Sequence, residues 1–369
     1  MFNLLTLSSI SLLPLGYSFE SAHNLDVFTQ VNTIAYAENN SAYHLAKGHE
    51  VDYKPAESAF AMGEYALGTR YDNFAISYIY RYEWFLGYTK DTMSFYEATL
   101  DNFSSIESDK VYDVDLKVNH INMQGIRFAY LHELNLHEFN QVNLYFAASY
   151  LQAKELMEGD LTGHVSQSQQ CGNEFDCYTG ELDLDYTYSE DALLDRVTDK
   201  PKSKYGYGFD IGLDWKINQD WFTSIYIQDI VSAIVWEQAP YTLMNATTSR
   251  TTVEDGEYHI DPVLTGWELN HDYKQVLPIK YHALVAYNVA PQHRVYLQGF
   301  HAYESTLAHV GYDFLSSNNV YRLKLYPFEE AVGIEFKHAM VNFAITTKPF
   351  DMEESELLEV RLGLNIPIM

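Results

Sequence analysis

Charged side chains recur at alternate positions in several extended stretches of this 369-residue chain. Acids and bases are mixed there, which allows two kinds of chemistry. The side chains either pair as a salt-bridged filling or line a water-filled passage for small polar solutes. Both require that they share one face of a sheet, which would become a lumen. The predicted lumen-facing residues are Arg81, Glu83, Asp115, Lys117, Arg127, Asp210, Asp214, Lys216, Lys280, Arg322, Lys324, Glu335, Lys337, Glu359 and Arg361.

Catalytic motifs do not accompany these charges. The patterns H-E-x-x-H, G-x-S-x-G and the P-loop do not occur in the sequence. The glycines of the stretch 206–212 lack the spacing of a nucleotide-binding loop. His132 and His137 are five residues apart and would not share a strand face. We therefore expect no enzyme, no cofactor and no metal site, and a site assembled from distant strands is the alternative.

The stretch Tyr205–Trp236 indicates which elements position the charges. Its first arm alternates large apolar residues with glycine and charge, and Asp210, Asp214 and Lys216 fall on the polar face. A period of two is that of a β-strand, because successive side chains of an extended chain point to opposite faces. Residues 217–220 form a short turn into a second alternating arm. The stretch is therefore predicted to be an antiparallel hairpin with one apolar face.

The aromatic residues of this hairpin favour a membrane barrel over a soluble sandwich, which would also alternate. Trp215 and Trp221 flank the turn, and Tyr207 and Trp236 lie at the far ends. This placement suits the two aromatic girdles of a transmembrane barrel. Each arm has about ten residues or more, the length with which a tilted strand crosses the hydrocarbon layer.

The composition agrees with a barrel. Aromatic residues make up 15% of the chain, led by 31 Tyr, whereas the mean hydropathy is −0.24. No internal stretch of about 18 apolar residues occurs, so no helical membrane span is predicted. Asp and Glu number 51 against 23 Lys and Arg, a net charge of −28. Nucleic acid is excluded as a partner, because its phosphates would be repelled.

The same alternation recurs along the chain and predicts about 14 strands, with a range of roughly 12–16. Short turns should alternate with long polar connections, and an even count places both termini on the short-turn, periplasmic side. Residues 89–110 are predicted to be a loop. Two excursions, 155–200 and 237–275, are predicted to be extracellular. The first has twelve acids against two bases and should contain a β-hairpin standing above the membrane.

Residues 1–18 have the features of a secretory signal peptide. An apolar core spans Leu4–Leu15, and Gly16 and Ser18 supply the small residues before a cut at Phe19. No Lys or Arg precedes this core, which departs from the usual pattern. The mature chain, 19–369, is then predicted to be one domain.

Two cysteines, Cys171 and Cys177, lie within the acidic excursion. In an oxidising compartment they are expected to form a disulfide, and metal binding by the two thiols is the weaker alternative. Calcium binding by the surrounding carboxylates is a further alternative, although no EF-hand spacing is present. We favour a solvated acidic surface without metal.

Taken as a whole, the pattern resembles the Gram-negative outer-membrane β-barrel class. The resemblance lies in Tyr205–Trp236, Phe74–Trp84 and the terminal strand Leu358–Ile368. It implies a transmembrane antiparallel up-and-down β-barrel in the cell outer membrane. The implied partners are the lipid bilayer, lipopolysaccharide and the outer-membrane assembly machinery. Such barrels commonly end on an aromatic residue, whereas this chain ends on Met369.

The function predicted from these features is a porin-like channel for passive passage of small solutes. One alternative is a transporter of hydrophobic compounds resembling the long-chain fatty-acid transporter family, whose members have 14 strands and a lumen-plugging N-terminal segment. The charged lumen and the wall-like stretch 28–37 disfavour it. The other alternative is a closed barrel whose acidic hairpins bind partners or build the surface.

Overall fold

The computed structural model describes Leu12, Glu107 and the ranges 25–47, 53–100, 110–137, 140–167, 178–191, 196–197, 199–254, 257–316 and 319–368. These residues contain two short helices and sixteen strands. The helices are α1 (Ala42–Lys47) and α2 (Lys90–Leu100). The strands are β1 (Leu25–Ala37), β2 (Ser58–Tyr71), β3 (Phe74–Tyr88), β4 (Val111–His137), β5 (Asn140–Gln167), β6 (Tyr178–Tyr188), β7 (Lys202–Lys216), β8 (Trp221–Glu254), β9 (Glu257–Gln275), β10 (Lys280–Ala290), β11 (His293–Ala302), β12 (Ser305–Ser316), β13 (Asn319–Tyr326), β14 (Ala331–His338), β15 (Val341–Thr347) and β16 (Leu357–Pro367).

Fourteen of these strands close into one antiparallel barrel, which confirms the predicted fold class and strand number. The wall follows the order β1–β5, β7, β8 and β10–β16, and each strand pairs with the next. β16 returns to β1 through a continuous register from Asp26–Pro367 to Tyr36–Leu357. Closure pairs the backbone groups that an open sheet would leave at its edges.

The two ends of the barrel differ in their connections. At one end the strands are joined by short turns, and the Ile368 N–H donates to the Leu25 carbonyl there at 2.9 Å. The first wall strand therefore begins, and the last wall strand ends, at the short-turn end, as predicted. The opposite end carries the long connections. Two links at that end, 303–304 and 327–330, are nevertheless short, so the predicted regular alternation of connection lengths does not hold throughout.

A sheet projects beyond the long-connection end, and we call it the extension. It consists of β6, β9, and the outer parts of β4 (111–121), β5 (155–167) and β8 (237–254). β6 lies between β5 and β8, and β9 pairs with β8 on the other side. The hairpin predicted within 155–200 is thus formed by β5 and β6, and β8 and β9 form a second one.

The wall strands carry apolar residues on the outer face and polar residues on the inner face. In β7 and β8, Phe209 and Val231 are 45% and 56% exposed outside the barrel, whereas Asp210 and Asp214 are buried inside it. Exposed aromatic residues cluster near the short turns; these include Tyr71, Phe74, Trp215, Trp221 and Tyr321. An exposed apolar outer face around a closed wall is typical of a barrel embedded in lipid.

Trp236 does not occupy the girdle position that the sequence predicted. Its side chain is fully buried on the inner side, where it packs with Ile121, Leu156 and Leu277. Trp236 has the same parity along β8 as the buried Phe222, so strand alternation places it inside.

Two of the connections between wall strands contain helices. α1 lies between β1 and β2, and α2 lies within the predicted loop 89–110. The Thr89 hydroxyl caps α2 by accepting from the Thr92 N–H at 3.1 Å. Ala42 and Met93 pack against Ala59 and Tyr88, which occupy outer-face positions of β2 and β3. The helices therefore cover the outside of the wall at the long-connection end.

Some sequence predictions fall beyond the described residues. Cys171 and Cys177 are outside them, so their disulfide stays a prediction. The signal peptide also stays a prediction, and Leu12 alone of its residues is described. Leu12 lies in the lumen, where its N–H donates to the Ser224 hydroxyl at 3.1 Å. Within the described ranges, no helix combines the length and apolarity needed to cross a bilayer.

Candidate functional site

Buried charges inside the barrel form two ion-pair networks of seven residues each. The acidic network has four acids and three bases, and the basic network has three acids and four bases. Inward parity on the wall strands brings every member except Asp229 into the lumen, and a bulge in β8 brings Asp229 there. The acidic network contains Glu64, Glu83, Asp210 and Asp229 with Arg81, Arg127 and Lys280. The basic network contains Asp313, Glu335 and Glu359 with Arg294, Arg322, Lys324 and Arg361.

Arg81 of β3 is the centre of the acidic network. Its guanidinium contacts Glu83 two residues along the same strand and lies 3.9 Å from Glu64 on β2. It also donates to both carboxylate oxygens of Asp229, one of them at 3.0 Å. One guanidinium thus contacts three carboxylates at this point, and these ion pairs offset part of the desolvation that burial imposes on each group.

Lys280 extends this network across the lumen. Its Nζ lies 2.9 Å from Glu83 and 2.9 Å from Asp229. Glu83 belongs to β3, whereas Asp229 and Lys280 belong to β8 and β10, and these strands are not neighbours of β3 in the wall. The ion pairs consequently join separated parts of the wall and occupy the space between them.

Arg127 of β4 links Glu64 to Asp210. Its terminal nitrogens donate to both Glu64 oxygens at 2.7 and 2.8 Å, and its Nε lies 3.6 Å from Asp210. Asp210 also accepts from the Tyr226 hydroxyl at 3.2 Å and from the Asp229 N–H at 2.9 Å. Asp210 thus accepts two hydrogen bonds and has Arg127 as an ion-pair partner.

Asp229 enters the lumen through a bulge in β8. Phe209 pairs with Val231 and Ile211 with Ile227, so β8 has two more residues than β7 between these pairs. Asp229 lies in this bulge with a φ of 59°, a left-handed conformation that aspartate tolerates better than most residues. A Cβ at Gly208 would approach the Asp229 carboxylate to 3.0 Å, so glycine leaves room for it.

The basic network follows neighbouring strands β11–β16. Asp313 accepts from Arg294 at 2.6 and 3.0 Å and from Arg322 at 2.8 and 3.1 Å. Both contacts join residues in direct cross-strand register. Arg322 continues to Glu335 at 3.3 Å. Glu335, Lys324, Glu359 and Arg361 then complete the chain at 2.7 to 3.4 Å.

A central cavity of about 200 Å³ lies between the two networks. Members of both networks line it, and Gln30, Asn32, His309 and Asn342 add neutral polar groups. Ile34, Phe300 and Leu307 also line it, so this partly open cavity combines paired charges and neutral polar groups with apolar side chains. Its size admits a small molecule, on the order of ten non-hydrogen atoms.

A second cavity of about 610 Å³, the vestibule, lies between the barrel and the inner face of the extension. Its acidic lining residues are Glu158, Asp160 and Asp185, and Lys117 supplies the opposite charge. Rings of Tyr241, His271 and Tyr273 form a stack along one side, with centroids 4.8 and 5.4 Å apart. The vestibule therefore presents acidic and aromatic groups at the long-connection end.

Phe85 and Tyr303 line the vestibule where it meets the lumen. Their rings stack with centroids 4.4 Å apart and an angle of 3°. The Tyr303 hydroxyl donates to Glu83 at 3.0 Å, and Glu83 lines the central cavity. Tyr303 has a φ of 56° in the link between β11 and β12. The stacked pair thus lies between the two cavities and is tied to the acidic network.

Burial in the extension raises the pKa of the Glu158 carboxyl to about 7. The negative charge of Asp160 adds to this increase, and a hydrogen bond from the Tyr273 hydroxyl opposes it. The cause is the loss of water around an ionisable group that has only one neutral donor close by. Glu158 will therefore change its charge near neutral pH.

The structure places the predicted lumen-facing residues in three locations. Asp115 and Lys117 lie in the extension, where Lys117 lines the vestibule, because inward parity continues along β4 beyond the wall. Lys216 lies at the short-turn end of β7. Asp214 and Lys337 are buried in the lumen, and Asp214 accepts from Ser224 at 2.5 Å. The other ten belong to the two networks: Arg81, Glu83, Arg127, Asp210, Lys280, Arg322, Lys324, Glu335, Glu359 and Arg361.

Four members of the two networks were not among the lumen-facing residues predicted from the sequence. Glu64 and Asp313 lie on strands whose alternation was recognised, so their parity was a usable signal. Arg294 is the second residue of β11, directly after a turn, where the end of a strand is hardest to predict from sequence. Asp229 has outward parity, and a charge in an otherwise apolar outer row (Ile225, Ile227 and Val231 being its neighbours) was the only sign of the bulge.

Metal binding has no support in the described part of the chain, where no group of three His, Cys, Asp or Glu residues could hold an ion. No protein-family model matches the sequence, and no curated protein does.

Solved structures with similar folds include the CymD monoaromatic hydrocarbon channel, at 11% identity over 96% of this chain and 90% of that one, with a TM-score of 0.39. The Pseudomonas putida toluene transporter TodX matches at 11% identity over 97% and 91%, with a TM-score of 0.34. A TodX deltaS2S3 mutant matches at 8% identity over 94% and 91%, with a TM-score of 0.43. These likenesses assign no substrate to this chain.

Proposed function

We propose that the chain spans the outer membrane as a β-barrel and passes small solutes through a narrow, polar lumen. The observation that carries this proposal is the central cavity inside the wall, with an ion-pair network that crosses the lumen on one side and a stacked aromatic pair at its vestibule end. The proposed process is passive and includes no catalytic step and no cofactor. The short-turn end would face the periplasm.

The outer face of the wall supports the membrane placement. Large apolar residues such as Ile76, Phe128, Leu297 and Leu362 are 44% to 58% exposed there. A water-exposed surface of this kind would be costly, at roughly 25 cal/mol for each Å² of apolar area. Lipid removes this cost without a protein partner, because the hydrocarbon layer is itself apolar.

The inside of the barrel supports a small passage rather than a wide pore. Arg81, Asp229 and Lys280 are each at most 2% exposed, although they lie in the lumen. Charges that line a broad aqueous channel would remain accessible to water. A solute must therefore be small enough to enter one chamber at a time: vestibule, stacked pair, central cavity.

Tyr303 is the residue that we propose controls entry from the vestibule. Single-channel conductance in planar bilayers would test this for the wild type, Tyr303→Ala and Tyr303→Phe. We expect Tyr303→Ala to raise conductance about twofold or more by removing the ring. Tyr303→Phe keeps the ring but loses the hydrogen bond to Glu83, so it should open more often at unchanged conductance. Tyr281→Ala, which removes an exposed outer-face ring, is the matched control.

The proposal fails if neither the wild type nor Tyr303→Ala conducts ions or swells liposomes in small-solute gradients. That result would favour a closed barrel whose extension binds partners.

Apolar compounds are a second candidate, because the wall changes partners beside the acidic network. β8 pairs with β10 up to Gln228 and with β9 from Ile234 onward. Residues 229–233 thus run beside the non-strand segment 276–279, where the Ser232 hydroxyl donates to the Leu277 carbonyl at 3.2 Å. Such a weakly paired region could part to admit an apolar solute from the lipid. Faster uptake of toluene than of glycerol by proteoliposomes would favour this candidate.

A further inference from the structure

Each ion-pair network leaves one member more accessible than the others. The Glu64 side chain is 16% exposed, whereas the other six members of the acidic network are at most 4% exposed. In the basic network the Arg361 side chain is 31% exposed, and the other six are at most 7% exposed. Glu64 and Arg361 both line the central cavity. The cavity therefore has one accessible acid and one accessible base.

These two residues lie in a single row across three adjacent strands. Asn32 of β1 pairs directly with Arg361 of β16 on one side and with Glu64 of β2 on the other. Residues paired in this way point to the same face of the sheet, here the lumen. Two strand spacings separate the Cα atoms of Glu64 and Arg361, roughly 10 Å. The opposite charges are thus held apart at a fixed separation by a neutral amide.

Several buried polar atoms around the cavity have no partner among the described residues. They are Asn32 Oδ1, Asn342 Oδ1 and His309 Nε2. The Asn342 and His309 side chains are each 4% exposed, and all three residues line the central cavity. An unsatisfied buried donor or acceptor is costly, but these three atoms have almost no accessible surface, so they lie behind the cavity lining and do not themselves contact a bound molecule.

The net charges of the two networks are opposite. With all groups ionised, the acidic network has a net charge of −1 and the basic network +1, and Lys337 adds a further positive charge to the lining next to the latter. A singly charged solute would be attracted by one network and repelled by the other. A solute with both charges can satisfy both when it is correctly oriented. An apolar solute would make no charge-assisted contact with either network.

We propose that the central cavity is a binding site for a small zwitterion, which places its ammonium group at Glu64, its carboxylate at Arg361 and its middle against Asn32. This inference rests on the proposed function, because it names the class of solute that the lumen accepts. A volume of about 200 Å³ restricts the ligand to amino-acid size.

Calorimetric titration of the purified barrel in detergent tests the site without requiring transport. The probes are 4-aminobutyrate and its two singly charged fragments, butylamine and butyrate. We expect 4-aminobutyrate to bind about tenfold more tightly than either fragment, because it gains a second charge-assisted interaction.

Two variants divide the site into its halves. Glu64→Gln should weaken 4-aminobutyrate and butylamine about tenfold and leave butyrate unchanged. Arg361→Gln should weaken 4-aminobutyrate and butyrate and leave butylamine unchanged. Both variants should fold. In Glu64→Gln, Arg127 retains its ion pair with Asp210, and in Arg361→Gln, Glu359 retains its contacts with Lys324 and Thr346. The control is Lys204→Gln with Glu237→Gln, an exposed pair at 2.9 Å outside the cavity, which should change nothing.

Asn32→Asp provides a test that removes no ion pair. It should strengthen butylamine binding and weaken butyrate binding.

Equal affinities for the three probes, no binding of 4-aminobutyrate at 100 mM or preferential binding of toluene would each overturn the inference. If the barrel conducts without the expected charge pattern, the proposed function stands and the zwitterion site falls. If the expected binding pattern is found in a barrel that does not conduct, the zwitterion site is supported and the proposed passage of solutes is rejected.

Discussion

The acidic and basic networks have the same number of residues, but they are built differently. In the basic network, Asp313 pairs in direct register with Arg294 on one side and Arg322 on the other, so the contacts follow the wall. In the acidic network, Arg81 and Asp229 are 148 residues apart in sequence and lie on strands that do not pair. Apart from Lys324–Glu359, which joins β13 to β16, the basic network therefore reinforces neighbouring strands, whereas the contacts of Asp229 and Lys280 in the acidic network tie separated strands across the lumen.

This difference separates two roles of buried charge in one barrel. Cross-strand pairs add to contacts that the hydrogen-bonded wall already makes, and they leave the lumen clear. Contacts across the lumen reduce the space available to a solute. The extension rises from strands on the acidic side, so the acidic character continues outward into the vestibule through Glu158, Asp160 and Asp185.

Neutralising one acid in each network, Asp313 or Asp229, should affect the stability of the barrel and its conductance differently. Asp313→Asn removes the carboxylate that accepts from Arg294 and Arg322, and we expect it to reduce the free energy of unfolding by about 3–5 kcal/mol. Asp229→Asn should reduce the free energy of unfolding less, by roughly 1–2 kcal/mol, because Arg81 and Lys280 both retain an ion pair with Glu83. Urea unfolding in lipid vesicles measures both values.

In planar bilayers the order of the two effects should be reversed, with the larger change in conductance for Asp229→Asn. Asp229→Asn loosens a contact across the lumen and should raise single-channel conductance, whereas Asp313→Asn should leave it unchanged. Equal conductance changes in the two variants would show that the networks do not differ in the way described here.

The acidic side should also respond to pH in the extension. The pKa of Glu158 is raised to about 7 from an unfolded value of roughly 4.3, so the folded state retains its proton over this interval. The stability of the extension should therefore fall as pH rises from about 5 to about 7 and then level off. The loss should be at most about 3 kcal/mol.

Amide hydrogen exchange of β5 and β6, corrected for the intrinsic rate at each pH, measures this change. Glu158→Gln should abolish the pH dependence, because glutamine stays neutral. Glu190→Gln, at an exposed position beyond β6, should preserve it. A pH response that persists in Glu158→Gln would assign the effect to another group.

The smallest expected effect is on ion selectivity. If the acidic side continues into the vestibule, the barrel should prefer cations about two- to fourfold at low salt, and 1 M salt should remove most of the preference by screening. Reversal potentials across a salt gradient measure it. The triple variant Glu158→Gln, Asp160→Asn, Asp185→Asn should reduce the preference.

At a pH well above 7, where Glu158 is ionised, a matched control removes the same charge from the exposed link between β15 and β16, through Asp351→Asn, Glu353→Gln and Glu354→Gln. It should change selectivity less, since these residues do not line the vestibule. Anion preference in the wild type, unaffected by the first triple variant, would mean that the lumen bases decide selectivity.

Strand alternation was sufficient to predict the wall. It placed the turn 217–220 between β7 and β8 correctly to the residue, and it predicted about fourteen strands. It also assigned Arg322, Glu335 and Glu359 to the inner face, because the parity of an unbroken strand fixes the direction of every side chain. The basic network is built from such strands, so most of its members were visible in the sequence.

The acidic network depended on the tertiary structure. Asp229 has outward parity and reaches the lumen only because a bulge with a positive φ reverses its direction. Its partner Arg81 was predicted to face inward, but periodicity cannot tell which distant strand a side chain meets across a lumen. Lys117 has correct inward parity yet lies in the vestibule, because alternation records the face of a strand and not its height along the barrel. Local sequence fixes side-chain direction, whereas contacts across an enclosed space are set by closure of the whole barrel.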